Sequence, residues 1–148
     1  MSATIAVIIP AFHAETLIGQ AIRSLLAQDY ADWQAWVISD DGFDYEALLG
    51  RAGLTDPRLR FLSSGTIRGG ASRARNLALD AMDARYAAIL DADDRFAPGK
   101  LAAVARALEA HAVVSCALTS RRRVRLRQSL RPRLRPHLPP LRLRPLRR

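Results

Sequence analysis

At 148 residues the chain has the size of one domain, and its formal net charge of +9 is unevenly spread: residues 1–118 hold 11 basic against 14 acidic residues, whereas residues 119–148 hold 12 arginines and no acid. Cys116 is the only cysteine, which excludes an intramolecular disulfide. No apolar run approaches the roughly 20 residues of a membrane span, and the N-terminus lacks a signal peptide's basic start and cleavage site, so a cytoplasmic location, at most peripheral to a membrane, is expected.

The first element is "TIAVII" (4–9), a mostly β-branched run closed by Pro10 that suits a strand buried on both faces. In "ETLIGQAIRSLLAQ" (15–28), Leu17, Ile18, Ala21, Ile22, Leu25 and Leu26 form one stripe of helical period. "WQAWVIS" (33–39) reads as a second strand, with Trp33 and Trp36 in or beside the core, and "DYEALLGRAG" (44–53) as a short helix ending at Gly53. "DPRLRFLS" (56–63) becomes a third, weaker strand, and "GGASRARNLALDAMD" (69–83) a helix with Ala71, Ala74, Ala78 and Met82 on one side. "YAAIL" (86–90) makes a fourth strand, "PGKLAAVARALEAH" (98–111) a helix with Pro98 in its first turn, and "AVVSC" (112–116) a fifth strand. This alternation predicts an α/β fold, a three-layer doubly wound, mainly parallel sheet with right-handed crossovers. Such sheets bind ligands beyond the C-terminal ends of their strands.

Four successive strands deliver polar, acidic or glycine-bearing segments to that edge: "PAFHAE", "DDGFD", "GTIRGGASRARN" and "DADD". With 11 aspartates in the chain, one D-x-D triplet is expected by chance, so the information lies in its position at the end of an apolar strand. There Asp91 and Asp93 point toward a shared place with Asp94 beside them, and hard oxygen donors of this kind suit Mg2+ or Mn2+. A solvated turn is the plain alternative. Asp40 and Asp41 raise the same question one strand earlier: carboxylates that accept from a base or ribose, or an Asp-Asp-Gly turn. Arg73, Arg75 and Asn76 open a helix introduced by Gly69 and Gly70, where a ligand anion or ordinary solvation would account for them. His13 reads as a solvated loop histidine in reach of a ligand.

Together "VIIPAFHAE", "SLLAQDYADWQAWVISDDGFD" and "RGGASRARNLALDAMDARYAAILDADD" resemble family 2 glycosyltransferases, enzymes of the nucleotide-diphospho-sugar transferase (GT-A) fold, over residues 5–116. The resemblance implies transfer of a sugar from a nucleotide-diphospho-sugar, UDP-linked most commonly, to a saccharide or lipid-linked acceptor, with inversion and with Mn2+ or Mg2+ as cofactor. It implies that Pro10, Ala11, Phe12 and Asp41 contact the nucleoside, that Arg75 lies near the base or diphosphate, and that Asp91 and Asp93 bind ribose and metal, Asp94 being the alternative to Asp93. Phe12 and His13 stand where the family usually has Tyr and Asn, and Phe43 where it has a small Ser, which implies an altered base or sugar preference. A phospho-receiver domain is disfavoured because its acidic pair follows the first strand, and a dinucleotide fold because no G-x-G-x-x-G follows that strand.

The family's general base lies beyond the metal motif, yet no Asp or Glu follows Glu109 here, so the catalytic base is unassigned and the domain is expected to be incomplete. Residues 1–118 are expected to form the nucleotide-sugar-binding part, and 119–148 a disordered basic tail of Arg, Pro and Leu. A GC-rich gene read out of frame would yield that composition. Polyanion binding and a linker to a further domain are the other readings of the tail. It has no aromatic residue for stacking on bases, so nucleic acid is not the expected partner.

Overall fold

The computed structural model describes residues 3–111, 113 and 114 of the chain. In chain order the elements are β1 (Ala3–Ala11), α1 (Ile18–Leu26), β2 (Trp33–Ser39), α2 (Tyr45–Arg51), β3 (Leu59–Ser63), α3 (Ala71–Ala81), β4 (Ala84–Ile89) and α4 (Lys100–Leu108). The four strands form one parallel sheet in the order β3-β2-β1-β4. The expected fifth strand lies outside the described residues, save Val113 and Val114, which belong to no strand.

β1 is apolar throughout because both its faces are covered. Ile5, Val7 and Ile9 point to one side, where they meet Ile18, Ile22 and Leu25 of α1, Leu49 of α2 and Leu101 of α4. Ile8 points to the other side and packs with Ile38 of β2 and Ala74 and Ala78 of α3. The small alanines of α3 let that helix lie close over β1 and β2. Each large aliphatic side chain buried here contributes about 1.5–3 kcal/mol. Trp33 is buried in the first cluster with the Arg58 guanidinium 3.8 Å from its ring centroid, and Trp36 packs at the margin of the second.

Three expectations shift in detail. β1 does not stop before Pro10 but runs through it to Ala11. Its ladder with β4 ends at Ile8↔Ile89 while that with β2 continues to Ala11↔Ser39, so a residue without an N–H is tolerated there. Pro98 sits in the turn before α4, whose N-cap is Gly99 in a left-handed conformation at φ 72°. β4 is covered on one face only: Ala84, Tyr86 and Ala88 are half-buried, whereas Arg85, Ala87 and Ile89 are exposed.

The connection from β3 to α3 is held by a buried carboxylate. Asp40, 3% exposed at the end of β2, accepts the Gly69 amide at Oδ1 (3.1 Å) and the Gly70 amide at Oδ2 (2.7 Å). A side chain at Gly69 would meet Thr66 Oγ1 and Arg73 Cδ at 2.7 Å, and Gly70 has φ +90°, so both positions call for glycine. Burial pushes the Asp40 carboxyl up, but the Ser64 hydroxyl, the Gly70 and Gly69 amides and the Arg73 guanidinium outweigh it and hold the group below the ordinary 3.8.

Asp40→Asn is therefore expected to lower unfolding free energy by about 1–3 kcal/mol, since an amide cannot accept at both positions; urea denaturation measures this. Because the folded pKa is depressed, Asp40's stabilisation is intact above the ordinary 3.8 and is lost as pH falls through the folded value. The wild-type urea midpoint should drop as pH falls below the ordinary 3.8, and Asp40→Asn should reduce that drop.

Candidate functional site

Beyond the C-terminal ends of β1 and β4 lies a cavity of about 340 Å3. Pro10, Ala11, Phe12, Arg75, Asp91 and Asp93 line it together with His13, Asp40, Ala71 and Ala92. Six residues singled out from sequence for ligand or metal thus line one cavity, drawn from three separate parts of the chain. A second cleft of about 190 Å3, between β2, β3 and α2, carries Asp44 and Glu46 and no cation, so chemistry suited to an anionic ligand belongs to the larger one.

Asp91 lies two residues past the end of β4, and its Oδ1 accepts from Arg75 on α3 at 2.9 Å. Both side chains remain partly exposed, so this pair contributes little to stability and stays open to exchange with a ligand. Arg75 Nε is buried and has no acceptor among the described residues. A ligand oxygen beside it would satisfy a donor that otherwise keeps its desolvation cost. Ala92 is buried in the core, Asp93 and Asp94 are exposed, and the Asp94 amide closes the turn on the Asp91 carbonyl at 3.0 Å. Behind the turn, the Ser24 hydroxyl accepts the Phe96 amide, while Gln28 accepts from the Leu101 amide and donates to the Ala97 carbonyl. The acidic turn is thereby tied to α1. Asp94 does not line the cavity, and Asp91, Asp93 and Asp94 do not converge as a three-carboxylate cluster among the described residues.

Asp41 sits beside the cavity rather than on its lining, its side chain 4% exposed. Its Oδ1 accepts from the Ser39 hydroxyl (3.1 Å) and the Phe43 amide (3.0 Å), and its Oδ2 from the His13 amide (2.7 Å) and the Tyr45 hydroxyl (2.8 Å). The Tyr45 oxygen in turn accepts the Ala14 amide at 3.1 Å. Burial pushes Asp41 up, yet the His13 and Phe43 amides and the Tyr45 and Ser39 hydroxyls hold it below the ordinary range, so it stays ionised. Tyr45 is pushed well above the usual phenol value by burial and by Asp41, and keeps its proton. Asp41 thus fixes the β1–α1 loop that carries Phe12, which is half-exposed, tilted against the His13 ring, with the Arg68 guanidinium 5.7 Å from its centroid.

Sequence reasoning did not single out Tyr45, Ser64 or Arg68. Tyr45 reads as a helix residue, and nothing local shows that its hydroxyl reaches back to residues 14 and 41. Arg73 turns from the cavity toward the Ser64 carbonyl at 3.5 Å, with Asp40 near its charge, and serves the loop.

The family model for glycosyl transferase family 2 matches residues 6–147. Over 100 residues the chain is 35% identical to the UDP-Glc:alpha-D-GlcNAc-diphosphoundecaprenol beta-1,3-glucosyltransferase WfgD of Escherichia coli, covering 66% of this chain and 38% of that protein. It is 31% identical over 98 residues to the putative colanic acid biosynthesis glycosyl transferase WcaA of Escherichia coli K12, covering 66% of this chain and 35% of that protein. The chain therefore spans between a third and two fifths of the length of these relatives. Among solved structures, S. aureus TarS 1-349 in complex with UDP-GlcNAc superposes with a TM-score of 0.66 at 23% identity, over 74% of this chain and 32% of that one. The mannosyltransferase PcManGT from Pyrobaculum calidifontis, in complex with GDP-Man and Mn2+, gives 0.62 at 24% identity, over 75% and 33%. At such identities the structural likeness establishes the fold, a GT-A type α/β arrangement of which this chain holds a part, and with the family match it fixes the assignment: the chain belongs to glycosyl transferase family 2.

Proposed function

We propose that the cavity binds a nucleotide-diphospho-sugar, UDP-linked, and that the chain is the donor-binding part of a transferase that passes the sugar to an acceptor hydroxyl. The observation that carries this reading is the Arg75 guanidinium, with Nε lacking an acceptor among the described residues, on the same wall as Asp91 and Asp93 at the C-terminal edge of a parallel sheet. A guanidinium donor matches diphosphate oxygens. The half-exposed Phe12 ring offers a stacking face for a base, with Pro10 and Ala11 lining the same cavity. Asp41, ionised and next to the Phe12 loop, takes a base N–H in exchange for one of its present donors, and Asp91 takes ribose hydroxyls. The activity of the relative WfgD, a UDP-Glc:alpha-D-GlcNAc-diphosphoundecaprenol beta-1,3-glucosyltransferase, supports the donor class and a lipid-linked acceptor.

Two carboxylates on the wall, with Asp94 as the alternative to Asp93, are a donor set that fits Mn2+ or Mg2+, because such ions take one or two carboxylates and complete their shell with phosphate oxygens and water. When bound, that ion supplies Lewis-acid stabilisation of charge on the departing diphosphate. The residues of this chain bind and orient: Arg75 and Asp91 hold each other in place, and the buried Ala92 anchors the turn that presents Asp91 and Asp93. Inversion by single displacement needs a base to take the acceptor's proton, and no Asp or Glu follows Glu109. A second reading has residues 1–118 binding nucleotide without turnover, with 119–148 a basic segment of Arg, Pro and Leu. No described helix is long and apolar enough to cross a membrane.

Calorimetric titration of UDP, GDP and dTDP with and without Mn2+ tests the proposal. UDP should bind best and more tightly with Mn2+, and Asp93→Ala should cut the Mn2+-dependent affinity at least about tenfold, ~1.4 kcal/mol. Curves that Mn2+ and Asp93→Ala leave unchanged would sink the metal assignment. Arg75→Ala should weaken UDP binding in both conditions; an unaltered Kd would remove Arg75 from the site. Turnover of a UDP-sugar on a lipid-linked acceptor distinguishes the transferase from the binding-only reading.

A further inference from the structure

We propose that His13, Glu15 and Asp41 form a second cation site, for a borderline transition-metal ion such as Zn2+, next to the cavity and separate from the acidic turn. They are the only group of three His, Cys, Asp or Glu side chains among the described residues whose ligand atoms all lie within 4.8 Å of one another. Two come from the β1–α1 loop and one from the end of β2. The His13 amide bond to Asp41 Oδ2 at 2.7 Å joins those segments and holds the imidazole over the carboxylate, Nδ1 to Oδ2 being 3.8 Å.

Donor atoms on one tetrahedral zinc ion sit about 3.3 Å apart, since Zn–N and Zn–O bonds are about 2.0–2.2 Å. The present spacing closes to that value by rotation of exposed groups: the His13 side chain is 69% exposed, and Glu15 is half-exposed. One imidazole and two carboxylates suit Zn2+ and its neighbours, whereas Mg2+ prefers oxygen alone, so the donor sets of the two sites differ in kind. Asp41 brings its own support: the Phe43 amide and the Ser39 hydroxyl orient it from Oδ1, opposite the oxygen that meets the ion. At Oδ2 the ion competes with the Tyr45 hydroxyl, the one donor there not fixed by the backbone. Three protein ligands leave a position for water.

The site draws on Asp41, which the sugar-nucleotide reading assigns to the base; on that reading, and only there, Zn2+ and UDP exclude one another. Direct binding is tested without nucleotide. Zn2+ is titrated calorimetrically into the metal-free full chain and into His13→Asn, Glu15→Gln and Asp93→Asn, all four checked for unchanged circular dichroism. His13 and Glu15 are at the surface, so their variants are expected to fold. The expected result is a Zn2+ site whose affinity falls at least tenfold in His13→Asn and in Glu15→Gln and is unchanged in Asp93→Asn. Equal titrations for wild type and His13→Asn, or a loss confined to Asp93→Asn, would overturn the proposal. Failure of the UDP titrations leaves this comparison untouched, so the two readings fail separately.

Discussion

Two adjacent carboxylates at the end of β2 hold the site together. Asp40 takes the amides that open α3, and Asp41 takes the amide of the β1–α1 loop and the Tyr45 hydroxyl. Just past β2, the two side chains of this dipeptide take partners from different elements, Asp40 from the start of α3 and Asp41 from the β1–α1 loop and α2. Charge-assisted bonds of this kind are roughly twice as strong as neutral ones, and a buried carboxylate left without them would be costly. The loops are therefore fixed before any ligand arrives, and the cavity between them, with Phe12 on one wall and Arg75 on the other, is largely formed in advance.

Much of this architecture is legible in the residues themselves. β1 reads as doubly buried because its run is apolar without alternation, and the structure has it so; of the stripe from Leu17 to Leu26, Ile18, Ala21, Ile22 and Leu25 form the inner face of α1, Leu26 is half-buried and Leu17 is exposed. β4 misleads because its outward residues, Ala87 and Ile89, are as apolar as its inward ones. The usable signal was Arg85, which stands inside the strand and not before it. For Asp40 and Asp41, the pair reads as ligand-facing acids or as an Asp-Asp-Gly turn, whereas in the structure Asp40 clamps the amides of Gly69 and Gly70, and no local pattern announces that pairing. The Tyr45 contact spans 31 residues to Ala14, and no local pattern carries such a pairing.

The acidic turn shows where sequence reading is least able to help. Three aspartates within four residues suggest three converging ligands, yet a turn need not aim consecutive side chains at one point. Here Asp91 pairs with Arg75, Asp93 shares its wall, and Asp94 stands apart. An arginine already bonded to one carboxylate is a poised electrostatic element. It lowers the repulsion among the acids, and its Nε, without an acceptor among the described residues, suits an incoming oxygen.

β4 has a further consequence. As the last strand of the described sheet, with one pairing partner and a solvent-facing side of Arg85, Ala87 and Ile89, it presents main-chain donors and acceptors along its outer margin. Such a margin acts as a template: any extended polypeptide of matching register can extend the ladder there, and a lone arginine is a thin guard against it. Among the described residues, that strip of backbone is a second feature, beside the cavity, open to an incoming chain.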